Sequence, residues 1–443
     1  MASVQLAIIG GGSAQFSLGV IKDLVNLPSL SGTCVRLMDI DQHRLDVLQA
    51  VGERIAAEMG AEITFTKTLD REEALDGAEF VLNCALVGGW RGRAYLRDIA
   101  AKYADATGKG PSVSVLSSFR QLDLFASVAR DVHRLCPDAW YIQSANPMTP
   151  GITLVNRVAP IKAVGLCHGI HGIREVCQTI GLDPREVDIQ AYGLNHFIWL
   201  TKFRRDGVDQ YPKLNEWIER EAPAFWKSDR CWPSHTVSPK AVRMYRMLGL
   251  YPIGDTVTPG GGNWPDWFRK TPELARQWNE DTGAWIERHI QNMEDRIGQF
   301  ERALADKDTP LTKRFGAEPT DETNVTIIDA LANNRGGLFQ VNVLNEGAIP
   351  GIPDDMAVEL PAFVSAAGIQ KLMLSPLPEP IMYFIRQRVH RTMNDVETYL
   401  SRSRDRLLLA ILGESDVGYD VATAYMNEVL AHPASRDMAA HFV

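Results

Sequence analysis

The chain has 443 residues, of which 45% are hydrophobic, and this is enough apolar material for two joined domains. Its formal net charge is −9, and the sequence has no stripe of clustered lysine and arginine residues, which argues against a nucleic-acid partner. No apolar run is long enough to span a bilayer, and the six cysteines are scattered without the spacing of a disulfide framework, so we expect a cytoplasmic protein that does not enter the membrane.

The N-terminal segment predicts a strand, a tight turn and a helix. An apolar run over residues 4–9 stops at Gly10-Gly11-Gly12-Ser13, and an amphipathic segment follows. Glycines let backbone N–H groups approach a pyrophosphate at a helix N-terminus, so Gly10, Gly12 and Ser13 are candidate cofactor ligands. The motif is imperfect, because a glutamine occupies its third glycine position.

A second apolar strand, Cys34 to Met38, ends at Asp39. A carboxylate at this place receives a ribose hydroxyl and repels the extra phosphate of NADP, so Asp39 favours NAD. The turn, the helix, the strand and the acid together predict a dinucleotide-binding Rossmann domain.

Polar residues follow two later strands of the predicted parallel sheet. Arg91 and Arg93 lie in a loop just after a buried strand, where they could bind the cofactor or an acidic substrate group, or could belong to a solvated loop. Asn146 follows another strand and precedes Pro147, which favours an extended conformation that presents its amide at the sheet edge. We expect Asn146 to contact a sugar hydroxyl or the nicotinamide ribose.

Cys167 and His196 are candidate metal ligands, since each ends an apolar run and could lie at a strand end. Two protein ligands leave several positions for water or substrate, which suits a catalytic ion. The alternative also stands, in which Cys167 is a small buried hydrophobe and His196 a hydrogen-bonded core histidine.

The second half of the chain is mostly helical by periodicity, over residues 239–248, 273–302 and 382–412. Between these helices, Gly260-Gly261-Gly262 could form a lid or a flexible surface loop. The sequence therefore predicts an α/β fold, with a Rossmann domain over residues 1–195 and an α+β, largely helical domain for substrate binding and oligomerisation over residues 196–443.

The motifs, taken in order and spacing, resemble glycoside hydrolase family 4. They are Gly10-Gly11-Gly12-Ser13, Asp39-Ile40-Asp41, Val87-Gly88-Gly89, Ser144-Ala145-Asn146-Pro147-Met148, Cys167-His168, Gly193-Leu194-Asn195-His196-Phe197 and the late run from Gly347 to Pro361. The resemblance extends from residue 4 to about residue 370. It implies a fold like that of lactate and malate dehydrogenases, and glycoside cleavage that needs NAD⁺ and a divalent metal, usually Mn²⁺.

The resemblance also implies a mechanism that differs from two-carboxylate hydrolysis. NAD⁺ takes hydride from the sugar C3, the resulting ketone acidifies the C2 proton, a base removes that proton, and the C1 leaving group is eliminated. Water then adds at C1 and the hydride returns to C3. Cys167 and His196 would hold the metal over the C2 and C3 oxygens, and Asn146 would orient the C3 hydroxyl.

Two residues are candidates for the base that removes the C2 proton. Asp255 is the first, since a nearby metal favours its ionised form, and Tyr251 is the second, since a tyrosine would need a much lower pKa. Asp255 could also be a simple turn residue after Gly254.

Departures from the family pattern affect the predicted substrate. The stretch Ala106 to Ser112 differs from the loop of the 6-phosphoglycosidase branch, and the run after Asp255 differs too. Trp264 and Arg269, with Arg91, Arg93, Asn146 and Asn195, could instead frame a sugar with an anionic C6 group.

We therefore expect a homodimeric or homotetrameric enzyme that takes a small anionic glycoside, either a sulfoquinovoside or a hexuronide. The alternatives are a 6-phosphoglycosidase, an NAD-dependent sugar or 2-hydroxyacid dehydrogenase, and a non-catalytic NAD-binding sensor. A dehydrogenase would accumulate NADH during turnover, and a sensor would not need the metal pair.

Overall fold

A computed structural model of the chain describes residues 2–105, 110–261, 264–280 and 284–443. The chain forms two compact units, and each is assembled from separate segments of the sequence. The first unit contains residues 1–165, 300–316 and 387–443, and the second contains residues 166–299 and 317–386. The predicted domains, 1–195 and 196–443, are instead two continuous stretches, and this division stays a prediction.

The strands are β1 (Gln5–Ile9), β2 (Cys34–Met38), β3 (Thr64–Thr68), β4 (Phe80–Asn83), β5 (Trp140–Gln143), β6 (Lys162–Gly165), β7 (Val187–Leu194), β8 (Phe197–Arg205), β9 (Val208–Asp209), β10 (Tyr251–Ile253), β11 (Gly337–Leu344), β12 (Ala357–Ser365) and β13 (Gly368–Lys371). The helices are α1 (Ala14–Val25), α2 (Gln42–Met59), α3 (Arg71–Leu75), α4 (Ala94–Lys102), α5 (Val113–Leu135), α6 (Met148–Val158), α7 (Gly172–Thr179), α8 (Tyr211–Arg220), α9 (Ala222–Phe225), α10 (Pro239–Leu248), α11 (Pro272–Gln277), α12 (Ala284–Ala305), α13 (Leu311–Phe315), α14 (Asn324–Asn333), α15 (Glu379–Ser401), α16 (Arg404–Glu414), α17 (Tyr419–Ala431) and α18 (Arg436–His441).

The first unit is built on a parallel sheet in the order β6-β5-β4-β1-β2-β3. The central strand β1 is almost wholly buried, as expected for a parallel sheet that is covered on both faces. The C-terminal helices α16, α17 and α18 share a buried apolar cluster with α5. The predicted Rossmann fold of the N-terminal domain is therefore confirmed.

The second unit is built on antiparallel strands in the order β10-β8-β7-β12-β11, and β9 and β13 extend it beside β8 and β12. The sequence analysis did not identify β11, β12 or β13, although the expected α+β class of the C-terminal domain is confirmed.

Two helices that periodicity predicted as continuous are interrupted. The segment predicted over residues 273–302 contains α11 and α12, and the segment predicted over residues 382–412 contains α15 and α16. In the second case Arg402 adopts a φ of 58°, which ends one helix, and the Ser403 hydroxyl accepts from the Arg406 N–H to start the next. Within the described ranges, no helix combines the length and the apolar character needed to cross a bilayer.

Candidate active site

Three side chains of the second unit converge on one point. A sulfur of Cys167, a ring nitrogen of His196 and a carboxylate oxygen of Asp255 all lie within 4.8 Å of one another. His196 Nε2 lies 3.4 Å from Asp255 Oδ2. The structure thus brings the two predicted metal ligands together with the first candidate base.

The turn between β7 and β8 places His196. The two strands are joined by Asn195 and His196 alone, and His196 has a φ of 55°, a conformation that histidine tolerates better than most residues. A Cβ on Gly193 would lie 2.2 Å from the Phe197 carbonyl oxygen, so the hairpin needs a glycine there.

Close contact between glycines places Asp255 beside Cys167. Gly254 has a φ of 55°, and a Cβ on it would lie 1.8 Å from the Gly169 carbonyl oxygen. A Cβ on Gly172 would in turn lie 2.7 Å from the Gly254 Cα. The turn that follows Cys167 therefore packs backbone against backbone on the turn that carries Asp255.

The carboxylate of Asp255 is held from a second side as well. The Thr258 hydroxyl donates to Asp255 Oδ1 at 2.7 Å, and a Cβ on Gly260 would lie 2.4 Å from the same oxygen. A Cβ on Gly261 would lie 1.7 Å from the Asp255 carbonyl oxygen. Gly260 and Gly261, predicted as part of a lid or a flexible loop, thus pack tightly against the candidate base, and Gly262 lies outside the described residues.

The electrostatics of the cluster would favour a bound cation. Burial raises the pKa of the Cys167 thiol well above its usual range, and the Glu359 and Asp255 carboxylates raise it further. A divalent ion would reverse this penalty, because it would stabilise the thiolate and both carboxylates. The donor set of sulfur, imidazole nitrogen and carboxylate oxygen suits a transition-metal ion.

Glu359 is a buried acid that the sequence analysis quoted in a family segment but did not assign. It is 1% exposed, and burial raises its pKa to about 7. Its Oε2 accepts from Asn195 Nδ2 at 2.9 Å, and its Oε1 accepts from Gln340 Nε2 at 3.4 Å. A single acid inside the apolar run from Met356 to Leu360 was the signal that could have identified it.

Tyr251, the second candidate base, does not meet the condition set for it. The side chain is fully buried, and its hydroxyl donates to the Thr236 carbonyl oxygen at 2.9 Å. Burial raises its pKa well above the ordinary tyrosine value, whereas a base requires a lowered one. The geometry of the second unit thus favours Asp255 over Tyr251.

Trp264 belongs to an aromatic cluster next to the β7–β8 turn. Its ring lies 4.6 Å from that of Phe197 and 5.2 Å from that of Phe384. Further along this segment, Arg269 lies near the fully buried ion pair of Lys240 and Glu280. These three side chains carry two positive charges and one negative charge.

The predicted cofactor residues lie in the first unit. The Gly10 and Gly11 N–H groups donate to the Met38 carbonyl oxygen at 2.9 and 2.8 Å. Gly12 N donates to Asp39 Oδ2 at 2.9 Å, which joins the glycine turn to the predicted ribose acid. Ser13 precedes α1 without capping it through its side chain, so the first N–H groups of α1 have no Ser13 hydroxyl as a partner.

The other predicted binding residues of the first unit are placed at loops. Asn146 is exposed after β5, and the Asn146–Pro147 peptide is cis. Arg91 and Arg93 lie on a single 3₁₀ turn, Trp90–Arg93, and both are exposed. The segment from Ala106 to Lys109, part of the stretch on which the substrate prediction rests, lies outside the described residues.

Comparison with known proteins gives a family for both halves of the chain. Residues 5–182 match "Family 4 glycosyl hydrolase", and residues 191–415 match "Family 4 glycosyl hydrolase C-terminal domain". An alpha-galactosidase of Rhizobium meliloti (strain 1021) is 26% identical over 433 residues, which cover 94% of this chain and 85% of that protein. An alpha-galacturonidase of Thermoanaerobacterium saccharolyticum is 26% identical over 437 residues, which cover 93% and 91%.

Solved structures share the fold at lower sequence identity. A putative glucosidase, LplD from Bacillus subtilis, superimposes with a TM-score of 0.81 at 21% identity and covers 97% of this chain and 100% of its own. A 6-phospho-alpha-glucosidase from gut microorganisms, solved in complex with NAD and Mn²⁺, gives a TM-score of 0.79 at 19% identity and covers 100% and 99%.

Proposed function

Because the chain belongs to family 4 of the glycosyl hydrolases, we propose that it is an NAD- and divalent-metal-dependent glycosidase for sugars with an anionic C6 group. The observation that carries the proposal is the convergence of Cys167, His196 and Asp255 within 4.8 Å, in a chain whose first unit has a glycine turn bonded to Asp39. The substrate is a sulfoquinovoside or a hexuronide.

Cys167 and His196 hold the cation, and Mn²⁺ is its identity in this proposal. When bound, the ion supplies a Lewis acid for the oxygens at C2 and C3 of the sugar. A site with two protein ligands would leave the ion accessible to substrate. The placement of the Asp255 and Glu359 carboxylates beside the Cys167 sulfur supports a cation here, since carboxylates held together without a positive partner would be costly.

Asp255 is the base that removes the C2 proton. The Thr258 hydroxyl and His196 Nε2 contact different oxygens of the carboxylate and so fix its orientation. Gly260 allows the backbone to approach this carboxylate closely, and Gly261 allows it to approach the Asp255 carbonyl oxygen. A base held in one orientation removes a proton more effectively than a mobile one.

NAD⁺ binds at the N-terminus of α1 in this proposal. Gly10, Gly12 and Ser13 present the turn to the pyrophosphate, and Asp39 receives the adenosine ribose. Asn146 contacts the nicotinamide ribose or the C3 hydroxyl. The similar 6-phospho-alpha-glucosidase was solved in complex with both NAD and Mn²⁺, which supports the same pair of cofactors here.

An anionic sugar is supported by the net positive charge at Arg269, Lys240 and Glu280. Trp264 contributes an aromatic wall, and Arg91 and Arg93 are further candidates for the anion. Asn195 remains a candidate for substrate contact, although its Nδ2 already donates to Glu359.

All six cysteines are free, which supports a reducing cytoplasmic location. A homodimer or homotetramer stays a prediction that light scattering can check.

The test is hydrolysis of nitrophenyl glycosides of galacturonic acid, sulfoquinovose, glucose 6-phosphate and galactose in D₂O. We expect turnover that stops when NAD⁺ is stripped or a chelator is added, no NADH build-up, and deuterium at C2 of the released sugar. One NADH per turnover would instead identify a dehydrogenase. The fastest glycoside decides the substrate class. A preference for neutral galactose would refute the anionic C6 group, and a preference for the 6-phosphate would refute the choice of a sulfoquinovoside or a hexuronide.

A further inference from the structure

We infer that Glu359 is a positioning residue of the proposed metal site, acting through Asn195 on the turn that carries His196 and adding negative charge behind the cation. The inference rests on the metal site of the proposed function. It extends that site from the ligands to the buried groups that orient them.

The burial of Glu359 needs an explanation. The residue lies in the middle of β12, with apolar neighbours on both sides in the sequence, and is 1% exposed. Among the described residues, no lysine or arginine forms an ion pair with it. A buried carboxylate that only amide groups contact is costly, so a nearby cation is the simplest source of compensation.

One hydrogen bond of Glu359 leads to the turn that carries a proposed ligand. Its Oε2 accepts from Asn195 Nδ2 at 2.9 Å, and the Asn195 side chain also lies near the Cys167 sulfur. Asn195 is also the residue next to His196 in the two-residue turn. Side chains that orient a metal ligand in this way fix its geometry and raise its affinity for the ion.

The strand register makes room for this contact. Glu359 lies directly opposite Gly193 on β7, which has no side chain to fill the space between the carboxylate and the turn. On its other side Glu359 lies opposite Asn342 of β11, which is 1% exposed. The Asn342 amide is close enough to lower the pKa of Glu359, yet neither of its polar atoms forms a hydrogen bond of good geometry. A buried amide without a well-formed hydrogen bond is rare. The position of the Asn342 amide beside Glu359 is therefore a second sign that a bound ligand completes the interactions of these polar groups.

The charges point the same way. Asp255 and Glu359 bring two carboxylates close to the Cys167 sulfur, and like charges held together there are unfavourable unless a cation is present. With a divalent ion bound, the same charges become favourable. Loss of Glu359 should therefore weaken metal binding and at the same time relieve repulsion in the metal-free protein.

The test compares Glu359→Gln with Asp329→Asn, which removes another buried carboxylate of the same unit, one bonded to Asn333 and Arg335. Mn²⁺ affinity is measured by electron paramagnetic resonance, and Co²⁺ is added to read the thiolate-to-metal absorption band. We expect Glu359→Gln to bind Mn²⁺ about 10- to 100-fold more weakly with a shifted cobalt band. Asp329→Asn should stay within about twofold of wild type.

Thermal melting separates positioning from a structural role. Without metal, Glu359→Gln should melt at or above the wild-type temperature, and its gain on adding Mn²⁺ should be smaller. If Glu359→Gln does not fold, Asn195→Ala carries the same test, with the same loss of affinity and band shift. Wild-type affinity in both variants, or an equal loss in Asp329→Asn, would overturn the inference.

Different results would refute the proposed metal site and the proposed role of Glu359. A wild-type protein that binds no Mn²⁺, or one whose binding is unchanged by Cys167→Ser, refutes the proposed metal site itself. Binding that depends on Cys167 and His196 but not on Glu359 or Asn195 leaves the proposed function intact and refutes the inference alone.

Discussion

Replacing Gly254 by alanine should separate Asp255 from Cys167 while leaving every proposed functional side chain in the chain. The added Cβ would lie 1.8 Å from the Gly169 carbonyl oxygen, whereas an ordinary contact is at least 3.4 Å, so the two turns must part by about 1.6 Å. A site holds its geometry only within about 0.5 Å, and a misplacement of about 1 Å can cost ~100-fold in rate. We expect a loss of hydrolysis of that order together with weaker Mn²⁺ binding.

The control is Gly60→Ala at the end of α2. Gly60 has a φ of 64°, close to the 55° of Gly254, but nothing lies within 4 Å of its Cβ position. Both variants therefore bear the left-handed penalty of about 1–2 kcal/mol in the free energy of unfolding, and only one of them meets the Gly169 oxygen. Denaturant unfolding measures the shared penalty, and Mn²⁺ titration with initial rates measures the difference. Equal metal affinity and equal rates in the two variants would refute the argument.

Three further predictions concern the base, the cofactor and a buried acid of the first unit. Asp255→Asn should form up to one NADH in a single turnover, yet it should release the aglycone at least ~100-fold more slowly than wild type and incorporate no deuterium at C2 of the sugar. Aglycone release at the wild-type rate would contradict the role of Asp255 as the base. In fluorescence titrations NAD⁺ should bind more tightly than NADP⁺, and Asp39→Ala should reduce that preference about tenfold. An equal preference in the wild type and in Asp39→Ala would argue against the ribose contact. Burial raises the pKa of Asp395 to about 7, so the native state keeps a proton that the unfolded chain releases above about pH 4, and the free energy of unfolding should fall as pH rises from about 4 to 7. Asp395→Asn should remove this fall, which is worth about 4 kcal/mol. Denaturant unfolding should therefore show the variant to be more stable than wild type at about pH 8 and little different at about pH 4, and an equal difference at both pH values would contradict this.

The parts of the fold that the sequence predicted are those with local signals. β2 begins and ends at the predicted residues because an apolar run is bounded by Thr33 and Asp39. α10 does so as well, because the Ser238 hydroxyl accepts from the Ala241 N–H at its start and Gly249 ends it with a φ of 86°. The interrupted helices were predicted as continuous because their hydrophobic spacing continues across the break.

The sequence alone did not show which side chains are buried or how strands from distant parts of the chain pair. Nothing in the run from Gly249 to Thr256 shows that Tyr251 is enclosed while Asp255, four residues later, faces His196. Glu359 was overlooked for a related reason. Its neighbours Gly193 and Asn342 are defined only by the register of β12 against β7 and β11, which join distant parts of the chain.

The residues of the proposed chemistry and those of the proposed specificity lie on different elements of the second unit. In the proposed mechanism, Cys167, His196, Asp255 and Glu359 would act near C2 and C3, which every glycoside has in common, so they would not select the group at C6. Selection must come from other side chains. The segment from Trp264 to Arg269 suits this task, because the buried Lys240–Glu280 pair ties the chain beyond it to α10 and so limits where Arg269 can lie. Relatives named for neutral and for acidic sugars are equally similar to this chain, at 26% identity each, so overall similarity does not decide between them. In the proposed function, the positive charge of Arg269 is therefore the physical basis of the anionic assignment.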